Sequence, residues 1–163
     1  MIVTHSSTLD ISIIKQTIKQ LLENPVDPSA TVPDHIAYVH TLTTTICHLI
    51  EEKDKDMEQF VVSSWKYFMS LMNGKNVEIS TEIAPLLAMF MTSLKPCISG
   101  WSNETVKELL KQSKSLLMKT PKEQISTSCL MISAVIQTCG PSNPEQLFDM
   151  VQGIKQIYKR SQG

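Results

Sequence analysis

Three short stretches place a proline just inside the start of a run whose apolar residues recur every three or four positions: Val32-Pro33-Asp34, Thr120-Pro121-Lys122-Glu123 and Asn143-Pro144-Glu145-Gln146. Proline suits the first turn of an α-helix, because its missing N–H would have no partner there and its fixed φ already matches the helix. In the later stretches, Thr120 with Glu123 and Asn143 with Gln146 have the spacing of reciprocal capping boxes. Each stretch therefore predicts the beginning of a helix.

Candidate helix starts recur near residues 33, 54, 80, 102, 120 and 143, so successive pairs of helices repeat about every 40 to 48 residues, the length of a helical hairpin repeat. A further helix ends before Asn24-Pro25, because a residue that precedes proline is pushed out of the α region. The sequence predicts an all-α fold with residues 1–163 in a single domain. Its helices, about seven in number, form either a stack of helical hairpins, like an α-solenoid, or an irregular bundle.

The amino-acid composition favours helices over strands. Only five of the 163 residues are glycine and 6% are aromatic, whereas Leu, Ile, Met, Lys and Gln are abundant. A chain of this length buries about two thirds of its unfolded surface, which is enough for one core. We expect almost no strand.

The net charge of −1 gives no overall attraction to nucleic acid or to an anionic membrane. The two parts of the chain differ modestly. Residues 1–100 carry seven Lys/Arg against eleven Asp/Glu, and residues 101–163 carry eight against five, so the charge runs from −4 to +3.

The four cysteines, Cys47, Cys97, Cys129 and Cys139, form no CxxC pair and are expected to be reduced thiols. The N-terminus has no apolar signal-peptide region, and no apolar stretch reaches the roughly 20 residues that a membrane span requires. These features predict an intracellular protein, cytoplasmic or nuclear. Neither end has the polar outer face of a capping repeat, so a fragment or short isoform of a longer helical-repeat protein is also considered.

Two helix boundaries and one core segment follow from local patterns. Ser80 is a candidate N-cap, and Pro85 should either kink the helix that follows or mark its true first turn. The segment Cys129–Ile136 is apolar nearly all round. Such a helix is expected to be covered on more than one side, with Ile132 buried.

The helix that begins near Ser102 has one apolar stripe and, by the same spacing, a second stripe of Lys107, Lys111 and Lys114. These three lysines are candidate contacts for an acidic protein partner. The alternative is an ordinary solvated helix face.

Nine methionines are present, and Met69 and Met72 are candidate partner contacts, since thioether side chains adapt to different partner shapes. If the lysine face is not the binding surface, a methionine-lined surface around Met69, Met72, Met89 and Met91 takes its place. The alternative for these methionines is filling of gaps in the core.

Catalytic and metal chemistry find little support. His40, Cys47 and His48 are the only local His/Cys group, and positions 40 and 47 lie about 10 Å apart along a helix, too far for one zinc ion. No phosphate-binding loop, dinucleotide fingerprint, HExxH or GxSxG motif occurs. We therefore expect a non-enzymatic protein with no cofactor and no metal.

The proline-capped apolar helix from Thr120 to Cys139, the Gly140-Pro141 break and the helix from Asn143 together resemble one HEAT-type hairpin, and the period resembles HEAT and armadillo repeats. This resemblance implies a scaffold that presents helix faces to other proteins, as an adaptor or as a subunit of a larger assembly.

Two other functions stay open. A nucleic-acid-associated module would use the C-terminal basic residues Lys107, Lys111, Lys114, Lys155, Lys159 and Arg160, and a contiguous basic patch would favour it. A bundle that binds a small apolar ligand would need an enclosed cavity. The oligomeric state does not follow from the sequence.

Overall fold

The computed structural model describes residues 2–52, 54–74, 76–140 and 143–162, with side chains from residue 11 to residue 159 inside these ranges. This part of the chain is helical and contains no strand, which confirms the all-α prediction. Its eight helices are α1 (Ile2–Glu23), α2 (Val32–Glu51), α3 (Met57–Met72), α4 (Val77–Ser93), α5 (Lys95–Ile98), α6 (Asn103–Lys119), α7 (Ile125–Cys139) and α8 (Pro144–Gln162). A 3-10 turn, Lys122–Gln124, precedes α7, and the short α5 accounts for the helix beyond the predicted seven.

The helices pack in two layers. Layer A contains α1, α3, α6 and α8, and layer B contains α2, α4 and α7, with extensive contacts from α2 to α4 to α7 and from α3 to α6 to α8. Successive long helices run in opposite directions, as the contact between Tyr38 near the start of α2 and Leu21 near the end of α1 indicates. Three antiparallel hairpins and α8 therefore lie side by side.

Side-chain bonds between neighbouring hairpins recur at a nearly constant separation along the chain. Ser80 Oγ donates to Gln124 Oε1 across 44 residues, and Thr138 Oγ1 donates to the carbonyl oxygen of Met91 across 47. These separations fall within the repeat length expected from the spacing of the helix starts. Helices of the same layer consequently run parallel to one another.

One continuous apolar core fills the space between the layers, and Trp65 and Phe68 are among its largest fully buried side chains. The ring of Phe68 meets those of Trp65 and Phe90 edge-on, with centroids 6.3 and 6.1 Å apart. Ile132 is 1% exposed, as predicted. Helix α7 contacts α4 and α6, but its outward stripe of Ser126, Leu130, Ser133 and Gln137 is exposed.

Two helix starts are capped by the hydroxyl of the residue that comes directly before the helix. Thr31 Oγ1 accepts the N–H of Asp34 beside Pro33 at the start of α2. Ser102 Oγ accepts the N–H of Thr105 at the start of α6. Local capping is sufficient to position these two ends.

Ser80 is not the N-cap of α4, contrary to prediction. Asn76 caps this helix instead, because its Oδ1 accepts the N–H of Glu78 at 3.0 Å and of Ile79 at 3.4 Å. Ser80 lies one turn later, fully buried, where its hydroxyl reaches Gln124. Pro85 consequently lies well inside α4 and does not mark its first turn.

The predicted capping role of Thr120 is wrong as well. Its Oγ1 donates to the carbonyl oxygen of Leu116 at 2.8 Å, one turn back in α6, and lies 3.1 Å from Ser128 Oγ. The hydroxyl therefore closes the end of α6, and the chain passes through the 3-10 turn before α7 begins at Ile125. Helix α8 does begin at Pro144, as predicted, whereas Pro141 lies outside the described residues.

Candidate partner-binding surface

Helices α3 and α6 lie side by side and point in the same direction. At their starts, the N–H of Ser102 donates to Glu58 Oε1 at 2.9 Å. Near their middles, Trp65 Nε1 donates to Ser113 Oγ at 2.9 Å. Two contacts in the same order along both helices fix them in parallel, which leaves a straight furrow between them on the outside of layer A. We call this furrow the α3/α6 groove.

The half of the α3/α6 groove near the helix starts is acidic. It has a volume of about 550 Å³, and its walls carry four carboxylates and one lysine: Asp56, Glu58, Glu104, Glu108 and Lys55. Asp56 also pairs with Lys15 of α1 at 2.9 Å, a bond that lowers the pKa of Asp56. Three carboxylates therefore remain without an ion-pair partner in the described part of the chain.

The other half of the α3/α6 groove is basic. It has a volume of about 370 Å³ and carries Lys66, Lys111 and Lys119 above the apolar side chains of Met69 and Leu116. Serine and asparagine side chains complete its rim. Glu108 lines both halves and marks the boundary between them.

The helix dipoles account for part of this separation of charge, because Glu58 and Glu104 lie in the first turns of α3 and α6 and Lys119 lies in the last turn of α6, whereas Lys66, Glu108 and Lys111 lie nearer the middle of these helices. The starts of parallel helices carry partial positive charge and their ends partial negative charge, so acidic residues are stabilised at one end and lysines at the other. Among the described side chains, carboxylates form ion pairs with Lys15 and Lys114 alone. Glu104, Lys66, Lys111 and Lys119 are exposed, whereas Glu58 and Glu108 are half-buried and accept hydrogen bonds from the N–H of Ser102 and from Gln112 Nε2.

The three lysines expected on α6 lie at a second, neighbouring groove, between α6 and α8. This groove has a volume of about 260 Å³ and is lined by Lys107, Leu110, Lys111, Lys114, Gln146, Asp149 and Met150. Lys107 and Lys111 are exposed, whereas Lys114 Nζ lies 3.6 Å from Asp149 Oδ2. The structure brings the lysines together, and Asp149 is a neighbour that sequence reasoning missed.

Met69 and Met72 lie in the core instead of on an open surface. Met69 is 6% exposed and Met72 is 2% exposed, so both fill space between helices, the alternative interpretation of these residues. Met91 is likewise fully buried, and Met89 of α4 is the exposed member of that set. No contact with a partner has been tested for Met69 or Met72.

The side chain of Gln112 was not singled out from the sequence, yet it lies in the wall of the α3/α6 groove. Its Nε2 donates to Glu108 Oε1 at 3.1 Å. Its Oε1 is buried and has no hydrogen-bond partner within the described structure. An unsatisfied buried acceptor is costly, so a change that gives this oxygen a donor would stabilise the position.

The cysteines are buried or half-buried free thiols. Burial raises the pKa of Cys139 to about 12 and also raises the pKa values of Cys47 and Cys129, which disfavours the reactive thiolate. In the ranges that the structure describes, no three His, Cys, Asp or Glu side chains converge on a common point as metal ligands would.

The basic residues that a nucleic-acid module would use are divided between two helices. Lys155 and Lys159 are exposed on α8, and Lys107 and Lys111 are exposed on α6, but Lys114 is paired with Asp149. The side chain of Arg160 lies outside the described residues.

No family model, curated protein or solved structure matches this chain. Within the described residues, no helix combines the length and the apolar character needed to cross a membrane.

Proposed function

We propose that this chain is a non-enzymatic, intracellular scaffold or adaptor, and that it binds another protein through the outer face of layer A. The stacked hairpins, with bonds between hairpins 44 and 47 residues apart, support an architecture of the HEAT or armadillo kind. Free thiols at all four cysteines support an intracellular location.

The observation that carries the proposal is the pair of exposed lysines, Lys107 and Lys111, between two grooves of layer A. Beneath them, Leu109 and Leu110 are almost completely buried, so the backbone that presents the lysines is fixed by the core. Exposed charges contribute little to stability, whereas charges at an interface increase the rate of association with a partner of opposite sign. An acidic protein surface is the partner that this face fits.

The test is the charge-reversal variant Lys107→Glu/Lys111→Glu. A matched control, Lys19→Glu/Lys95→Glu, makes the same change of charge at exposed positions on other helices. Both proteins should keep the helical circular dichroism spectrum of the wild type. Pull-downs from nuclease-treated cell extract, quantified by mass spectrometry, should lose bound proteins with the first variant and keep them with the control. An unchanged set of bound proteins would contradict the proposal.

Lys114, the third lysine of the predicted face, requires its own variants because it forms an ion pair with Asp149. Adding Lys114→Glu to the double variant also breaks this pair and places two carboxylates close together. A further loss of binding that appears with Lys114→Glu but not with Asp149→Asn would assign Lys114 to the partner. Loss of bound RNA or DNA alone, without nuclease treatment, would favour the nucleic-acid alternative.

A further inference from the structure

We propose that the α3/α6 groove holds one amphipathic helix of a partner protein, with acidic residues in its N-terminal half and basic residues in its C-terminal half. This helix runs antiparallel to α3 and α6. The inference rests on the proposed function, since it specifies the chemistry of the protein segment that layer A binds.

The charge of the groove selects such a segment. Glu58, Glu104 and Glu108 line one half, and Lys66, Lys111 and Lys119 line the other. None of these six side chains has an ion-pair partner within the described ranges. A uniformly acidic or basic segment would meet like charge along half of its length, whereas a segment with separated charges is complementary along all of it.

The shape of the groove suits a helix. Helix α3 has 16 residues and is therefore about 24 Å long, and α6 follows it in parallel. The floor is apolar but narrow, because Val62 is half-buried near the acidic half and Met69 and Leu116, 6% and 3% exposed, show only their edges under the basic half. An amphipathic helix can lay its apolar stripe on this floor while its flanks meet the charged walls.

The direction of the partner helix follows from its own dipole and from the dipoles of α3 and α6. Acidic residues stabilise the N-terminal turns of a helix and lysines stabilise its C-terminal turns. A partner helix with its acidic N-terminal half over Lys66 and Lys119 must run opposite to α3 and α6. In that direction its dipole also opposes theirs, which is the favourable arrangement.

Gln112 provides a further observation in the basic half, one turn beyond Glu108. Its Oε1 is buried without a hydrogen-bond partner among the described groups, while its Nε2 is occupied by Glu108. This oxygen is closed off from solvent, so a partner would reach it only after the amide turns toward the groove. A polar residue of the bound helix that donates to the turned amide is therefore part of the inference.

Two hydrocarbon-stapled peptides of about 18 residues, long enough to span the groove, test the charge pattern. Both carry leucines along one face and the same numbers of Glu and Lys. The first has Glu in its N-terminal half and Lys in its C-terminal half, and the second alternates the two along its length. Fluorescence anisotropy with the intact protein should show about tenfold tighter binding of the first peptide, decreasing with added salt.

Protein variants locate the binding site. Lys66→Glu/Lys119→Glu and Glu104→Lys/Glu108→Lys should each weaken binding of the first peptide about tenfold, and Lys95→Glu/Lys122→Glu, at exposed positions outside the groove, should leave it unchanged. Equal affinity for the two peptides, or equal effects of the groove and control variants, would overturn the inference. The inference would also be overturned if the protein formed a concentration-dependent dimer that Lys66→Glu/Lys119→Glu dissociates and that the first peptide does not disrupt. A second copy of the chain would then occupy the groove.

A benzophenone at the N-terminus of the first peptide tests the direction. Crosslinks should map to Ser70–Asn73 or Ser115–Lys119, at the ends of α3 and α6. Crosslinks near Gln59 or Thr105 would show a parallel helix and overturn the stated direction. Lys111 lines both grooves, whereas Lys107 lies outside the α3/α6 groove. The single variant Lys107→Glu in the pull-down therefore separates failure of the proposed function from failure of the peptide experiments.

Discussion

Trp65 Nε1 donates a buried hydrogen bond of 2.9 Å to Ser113 Oγ, joining α3 to α6 across 48 residues of sequence. The same hydroxyl donates to the carbonyl oxygen of Leu109 at 2.8 Å. Ser113 thereby accepts from one helix and donates within its own. This arrangement sets the parallel alignment on which the α3/α6 groove depends.

Replacing Ser113 by alanine should lower the free energy of unfolding by about 1 to 3 kcal/mol, because the buried indole N–H of Trp65 loses its acceptor. Ser115→Ala, at an exposed position of the same helix, is the matched control and should have almost no effect. Urea unfolding followed by circular dichroism measures both. Equal values for the two variants would show that the bond does not stabilise the fold.

Ile132→Ala should lower the free energy of unfolding by about 2 to 5 kcal/mol, because it leaves a cavity in the core beneath α7. Its neighbour Leu130 is 51% exposed on the same helix, and Leu130→Ala should therefore be much less destabilising. Denaturant melts compare the two variants. A loss below about 1 kcal/mol for Ile132→Ala would mean that α7 is peripheral.

Thr120→Val should destabilise the protein by about 1 to 3 kcal/mol, because Thr120 is 3% exposed and its hydroxyl bonds both Leu116 and Ser128. Thr120→Ser keeps the hydroxyl and should retain most of the stability. Thermal unfolding of the two variants provides the comparison. A larger effect from Thr120→Ser than from Thr120→Val would indicate that the methyl group matters and the hydroxyl does not.

The tether between α1 and the start of α3 should depend on pH. Lys15 Nζ lies 2.8 Å from Asp54 Oδ1 and 2.9 Å from Asp56 Oδ2. These bonds raise the pKa of Lys15, and the bond from Lys15 lowers the pKa of Asp56. The stabilisation from Asp56 is thus lost as pH falls through its lowered pKa, and that from Lys15 is lost as pH rises through its raised pKa.

The difference in Tm between wild type and Lys15→Met should consequently be largest between about pH 5 and about pH 9 and should shrink toward both extremes. Lys95→Met, at an exposed position of α5, serves as the control and should show little dependence on pH. A difference in Tm for Lys15→Met that stays constant out to both extremes of pH would mean that packing of the lysine stem, and not its charge, holds α1.

Sequence patterns were sufficient where a residue's partner is local. The helix start at Ser102 and the lysine stripe of Lys107 and Lys111 follow from spacing within one helix. Ser80 was misassigned because its hydroxyl bonds Gln124, which only the packed fold brings near. Thr120 was misassigned because its hydroxyl bonds backward to Leu116 at the end of α6 and does not cap the helix that follows. The α3/α6 groove has the same origin, since its two charged halves exist only when α3 and α6 lie in parallel.

The bonds between hairpins join residues between 41 and 48 positions apart. Because these separations are much shorter than the chain, neighbouring hairpins can meet while the chain is still being synthesised. Each hairpin can meet its neighbour as soon as about 50 further residues have left the ribosome, without waiting for the C-terminus. The last segment to dock is α8, so the groove between α6 and α8 should be completed only after the α3/α6 groove has formed.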